Sequence, residues 1–173
     1  MNSVFVNRII RACKLDVSLY EEVEGDKSAT FQAALVVILS SLAAGVGALS
    51  LGASNFLMAP ILWLVSWYIW AYLIYFIGAK LFPEPKTKSD HGELLRTIGF
   101  SSAPGLIRVF GFTPEIMSIT FIGAGIWMLI AMVIAVRQAL DYESTWRAIG
   151  VVVIGFLVQA KVLIMLLRIF GPA

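Results

Sequence analysis

The chain is poor in the residues that most site chemistry needs. One cysteine, Cys13, and one histidine, His91, stand among 173 residues. This excludes an internal disulfide framework and leaves His91 without a His or Cys partner for a zinc-type site. Charged residues make up only 14%, where a soluble domain carries about a quarter. Residues 28–79 contain no Asp, Glu, Lys, Arg or His at all. A water-soluble fold cannot hide a tract of that length, so the bilayer is its natural solvent. The net charge is only +2 and the basic residues are dispersed, which argues against a nucleic-acid partner. Phosphate-cradling glycine motifs and paired intramembrane carboxylates are missing. Met1 to Tyr20 lacks the charged start, apolar stretch and small-residue cleavage site of a signal peptide.

What is present is apolar: 60% of the residues, with a mean hydropathy of +0.88. The expected fold is all-α, a polytopic transmembrane bundle of five membrane helices preceded by an amphipathic interfacial helix. Residues 1–27 form the cytoplasmic N-terminal segment and residues 28–171 the transmembrane domain. Val4, Phe5, Ile9, Ile10, Cys13 and Val17 recur at helical spacing, while Arg8, Arg11 and Lys14 fall largely elsewhere, as suits a helix on a membrane surface. Cys13 reads as a small interfacial hydrophobe, with lipidation as the alternative. Ser18 and Glu21 have capping-box spacing, so a helical turn begins there or the acidic patch Glu21, Glu22, Glu24, Asp26 is a solvated linker.

The first span is placed at about residues 29–51, with turn signals over 51–55. Ala43 and Gly47 in this span offer a face for close helix packing. The second span, about residues 56–82, is rich in Trp and Tyr and ends at Pro83 and Pro85; its rings suit lipid and neighbouring helices, or line a cavity. The third segment is short. Only residues 97–107 between Arg96 and Arg108 lack charge, and Pro104 and Gly105 break them, so it is a kinked or re-entrant helix. The fourth span runs over about residues 116–136, with Gly123 and Gly125 as a second packing surface. The fifth runs over about 144–170, and its Lys161 is expected to snorkel to the interface.

The positive-inside rule sets the N-terminus in the cytoplasm but does not decide the third segment. A crossing segment gives about ten Lys and Arg inside against three outside, and a re-entrant one about eleven against two.

Ionisable groups concentrate where the broken segment starts. Glu93 and Arg96 are three apart, and Arg137 and Asp141 four apart, spacings that suit local helical ion pairs. With His91 they make a candidate polar network on the cytoplasmic rim, either fixing helix ends or serving as a docking or gating site. The stretch Gly99 to Gly105 lacks the strand-to-helix setting of a nucleophile elbow; its serines are expected to bond carbonyls freed by the helix break. No catalytic residue, metal ligand or cofactor site is assigned.

Four stretches carry a family resemblance: Leu15-Asp16-Val17-Ser18-Leu19-Tyr20-Glu21, Glu93-Leu94-Leu95-Arg96-Thr97-Ile98-Gly99-Phe100, Ala103-Pro104-Gly105, and Val136-Arg137-Gln138-Ala139-Leu140-Asp141-Tyr142. Together they resemble the Yip family of Ypt/Rab-interacting polytopic membrane proteins, in its bacterial form, over about Leu15 to Phe170. The resemblance implies five crossings, a cytosolic N-terminus and a C-terminus on the opposite side. Eukaryotic relatives are linked to small prenylated GTPases and vesicle traffic, and carry an Asp-Leu-Tyr-Gly-Pro motif ahead of the first span. Only Leu19-Tyr20 matches it here, with Glu21-Glu22 in place of Gly-Pro, and that departure argues against a small-GTPase partner.

The expected function is that of a non-enzymatic scaffold or accessory subunit in a bacterial inner membrane, surrounded by lipid and associating laterally with other membrane proteins or with itself. The alternative is a transporter, channel or lipid-translocating protein with a path beside the broken third helix.

Overall fold

The computed structural model describes residues 2–49 and 59–170, and the regular elements among them are all helical. In chain order they are α1 (Asn2–Cys13), α2 (Val17–Gly25), α3 (Ala29–Gly47), α4 (Ala59–Tyr75), α5 (His91–Phe100), α6 (Pro114–Ala139) and α7 (Thr145–Phe170). A π-helical stretch, Phe76–Leu81, prolongs α4, and a 3-10 helix, Ala103–Phe110, follows α5. Four helical stretches are long and apolar enough to cross a membrane: Ala29–Gly47, Pro60–Leu81, Pro114–Ala139 and Thr145–Val162. The turn expected over 51–55 and the start of the second span lie outside the described residues.

The two N-terminal helices pack onto one end of the bundle. Leu19, Tyr20 and Val23 of α2 are fully buried with Ala12, Ala29, Ala33, Val36, Phe100, Ala103 and Ala135. The acidic patch is therefore helical, because these three apolar residues give α2 a buried face. Its cap is Asp16, whose carboxylate accepts from the Ser18 N–H at 3.0 Å, so the expected capping role of Ser18 belongs to Asp16. The apolar residues expected on one interfacial face divide: Phe5, Ile9 and Cys13 of α1 pack on the core, while Val4 and Ile10 of α1 and Val17 of α2 stay exposed.

The third segment departs most from a regular span. Asp90 and Glu93 form a reciprocal capping box that starts α5. The α-helix gives way after Phe100; Ser101 Oγ donates to the Ile98 carbonyl at 2.8 Å, and Pro104, which has no N–H to lose, opens the 3-10 helix. The segment then runs parallel to α3 along its length. Gly99 lies against Ala33, Gly105 against Ser40, and Gly111 against Gly47. Antiparallel α6 flanks it, with Met128 beside Gly105 and the Phe121 ring beside Arg108. Residues 91–111 thus traverse the bundle from the α2 end to the Gly47 end and do not turn back.

The sequence-predicted packing glycines fall into two groups. A Cβ on Gly47 would collide with the Arg108 carbonyl oxygen, and Ala43 beside it in sequence is buried. Gly123 and Gly125 are different: nothing lies within 4 Å of where their Cβ would stand. The two lie about 160° apart around α6, at the edges of an outward strip that carries the exposed Ile119, Ile122 and Ile126, and no helix among the described residues packs against either.

Gly47→Val and Gly105→Val should each destabilise the detergent-solubilised protein by about 1–3 kcal/mol through overpacking. Gly123→Ala, with open space at its Cβ, should not destabilise it and should add up to about 1 kcal/mol of helix propensity. Thermal unfolding followed by tryptophan fluorescence measures both.

Candidate functional site

The α1–α2 end of the bundle carries an open polar cleft of about 710 Å³, walled by α2, the loop after the π-helix and the turn between α6 and α7. Glu21, Glu24, Lys88, Arg137, Gln138 and Asp141 are among the side chains lining it. Three constructions hold these walls in place.

The first is a zipper between α1 and its neighbours. Buried Arg8 donates to Glu22 at 2.9 Å, to Asp26 at 2.8 Å and to Gln32 at 3.0 Å. Arg11 pairs with Asp16 at 2.7 Å and also with Glu22. The Arg11 guanidinium holds the Asp16 carboxyl down at about 2, and Ser28 together with Arg8 does the same for Asp26.

The second is a pair of matched turns. After α1, Leu15 takes the left-handed conformation (φ 60) while Asp16 N–H reaches the Arg11 carbonyl and Leu15 N–H the Ala12 carbonyl. After α6, Asp141 does the same (φ 52), with Tyr142 N–H on the Arg137 carbonyl and Asp141 N–H on the Gln138 carbonyl. Both are Schellman terminations. The side chain of Arg137 donates to the carbonyls of Tyr142 and Glu143 and to Thr145 Oγ1. The Tyr142 hydroxyl lies 2.9 Å from the Gly78 carbonyl and 2.8 Å from that of Phe82, tying the turn to the π-helix.

The third is Arg96. It is 5% exposed, and its guanidinium donates to the Val23 carbonyl at 2.9 Å and to that of Glu24. A cation thus caps the C-terminal end of α2, where the helix dipole is negative.

The predicted network is rearranged accordingly. Glu93 does not pair with Arg96, because its carboxylate completes the Asp90 capping box. Arg137 does not pair with Asp141, whose carboxylate instead accepts from the Lys88 N–H at 3.3 Å. His91 turns to α4, where its ring meets Tyr68 at 4.9 Å and Tyr72 at 5.5 Å edge-on. Arg137 and Asp141 do share the cleft, and Glu93 lies near enough to act on Glu24. The residue that sequence reasoning missed is Glu24 itself. Its Oε2 is buried without a hydrogen-bond partner among the described residues. Desolvation, followed by the charges of Asp141, Glu93 and Glu21, pushes its pKa up to about 7. The buried positions Leu19, Tyr20 and Val23 were the signal available, since they turn Glu24 toward the bundle.

Chemically, the cleft offers carboxylates and cations at a membrane edge, suited to binding a polar or charged surface. Among the described residues no group of three or more His, Cys, Asp and Glu side chains is placed to hold a metal ion.

Spanning-length apolar helices with a polar cap at one end define a polytopic α-helical integral membrane protein. The chain belongs to the Yip1 domain family, whose model matches residues 19–167. No curated protein and no solved structure matches it.

Arg96→Leu should cost about 2–3 kcal/mol, the worth of charge-assisted hydrogen bonds to two carbonyls, and should expose the α1–α2 region to limited proteolysis. Glu24 gives a pH signature. Its folded pKa lies above the unfolded carboxylate value, so the stability it contributes is full below about 4.3 and is lost as pH rises through about 7. Glu24→Gln should flatten the pH dependence of the unfolding temperature between about pH 4 and 7; an unchanged slope would refute this assignment.

Proposed function

We propose that this Yip1-domain chain is a non-enzymatic membrane scaffold or accessory subunit that crosses the membrane five times, associates laterally with other membrane proteins or with itself, and presents its polar cleft to the cytoplasm. The fifth crossing is the third segment. Ten α-helical residues at 1.5 Å and eight 3-10 residues at 2.0 Å span roughly 15 and 16 Å, together about one hydrocarbon core. With five crossings the basic residues divide about ten to three in favour of the α1–α2 end, a bias that supports our reading of that end as cytoplasmic; the membrane in this reading is a bacterial plasma membrane.

The observation that carries the lateral role is the outward glycine pair of α6. Inward glycines are each filled by a neighbour, whereas Gly123 and Gly125 leave bare backbone on a face of exposed isoleucines. In lipid such a face is where a further helix can approach closely. The transporter reading has less support: Arg96 and Arg137 serve as helix caps and not as guards of an entrance.

The test is cross-linking and mild-detergent co-purification from the native membrane. A Gly123→Leu/Gly125→Leu double variant should lose most of the associated protein while keeping the unfolding temperature of the isolated chain. Recovery of a lone monomer under several gentle conditions would count against the scaffold. Solute flux in liposomes that Arg137→Ala alters would favour the alternative.

A further inference from the structure

Arg108 sits at the other end of the bundle from the cleft and is only 9% exposed. Its guanidinium lies between the rings of Phe121, at 5.6 Å, and Trp63, at 5.9 Å. One terminal nitrogen approaches the Met128 sulfur at 2.9 Å, and Nε is buried with no partner among the described residues. Met128 stands beside Gly105, one 3-10 turn before Arg108. The side chain therefore turns back toward the middle of the bundle, opposite to the course a snorkelling arginine takes. A sulfur and two ring faces are weak partners for a buried cation, which ordinarily requires an anion.

Among the described residues no carboxylate pairs with it. Between Glu93 and Asp141 the only carboxylate is Glu115, which is exposed, and residues 27–83 and 144–173 contain no Asp or Glu. Next to Arg108, and sharing Trp63 and Met128 with it, a cavity of about 260 Å³ opens between α4, α5, α6 and α7. Trp67, Trp70, Met132 and Phe156 continue its apolar wall toward mid-bundle, and the Trp70 Nε1 is a second buried donor without a partner among the described residues.

We propose that Arg108 and this cavity bind one anionic phospholipid of the leaflet at the Gly47 end, its phosphate on the guanidinium and an acyl chain along the tryptophan wall. The order of the parts matches a lipid: the cation lies toward the membrane edge and the apolar cavity toward the midplane. A free phosphate would satisfy the cation but leave the cavity unused.

The full chain, purified in detergent, is offered phosphatidylglycerol or phosphatidylcholine, and retained lipid is counted by native mass spectrometry. Wild type should retain phosphatidylglycerol preferentially, and Arg108→Gln should cut that preference by about tenfold. Arg108→Lys should keep part of it. Met132→Trp, which fills the cavity and leaves Arg108 in place, should reduce retention of the lipid, and millimolar inorganic phosphate should not displace it. Equal retention of the two lipids by wild type would overturn the proposal, as would full phosphatidylglycerol preference in Arg108→Gln. Displacement by inorganic phosphate alone would assign the site to a free anion and overturn the lipid. Should Arg108→Gln fail to fold, unchanged retention in Met132→Trp would by itself be decisive against it.

Discussion

The close approach of the third segment to α3 is the constraint on which the rest of this bundle depends. Glycine or alanine stands at successive crossings, Gly99 on Ala33, Gly105 on Ser40 and Gly111 on Gly47, so the two backbones run nearly in contact. Nothing else lets residues 91–111, interrupted by Pro104 and flanked by arginines, occupy the centre of a membrane bundle. Packing at this distance replaces the hydrophobic drive that lipid cannot supply. The break costs little because it falls where Pro104 has no N–H to satisfy and Ser101 recovers a carbonyl of the preceding turn.

The central position of this segment also decides what its two arginines meet. Arg96, at the α2 end, finds the carbonyls that every helix leaves unsatisfied at its C-terminus. One buried cation thereby fastens a helix more than seventy residues away in the chain. With α2 fixed, its acidic residues are held where Arg8 and Arg11 can reach them, and α1 follows. The polar end is thus tied to the third segment through α2, and the cleft is the space left between α2 and the α6–α7 turn.

Much of this architecture was legible in the residues. The uncharged tract of 28–79 required lipid, and Pro104 located the break, because both facts are local. The ion pairs were not legible. Spacings of three or four residues state only which side chains can meet, and say nothing of competitors: Glu93 had Asp90 at the start of its own helix, and Arg96 had the end of α2. The same limit governs glycine. Gly47 and Gly123 stand in similar apolar surroundings along the chain, and only the tertiary arrangement turns one inward and the other out. Glu24 was hidden for a related reason, since its pKa is raised first by burial and then by Asp141 and Glu93, all of which folding brings to it.

The distribution of carboxylates separates the two ends of the molecule more sharply than the distribution of cations does. Ten of the eleven acidic residues lie in the segments that build the α1–α2 end, and Glu115 is the exception. Most arginines at that end have partners within the chain, in carboxylates or helix carbonyls, so the charge there is largely compensated. At the opposite end Arg108 is buried among rings and sulfur, with no carboxylate paired to it among the described residues. A charge in that setting must be neutralised from outside the chain, and the surrounding bilayer is the one abundant source of anions at that depth. The two ends are therefore stabilised by different means, the first by the chain's own ion pairs and caps, the second by what the membrane brings to it.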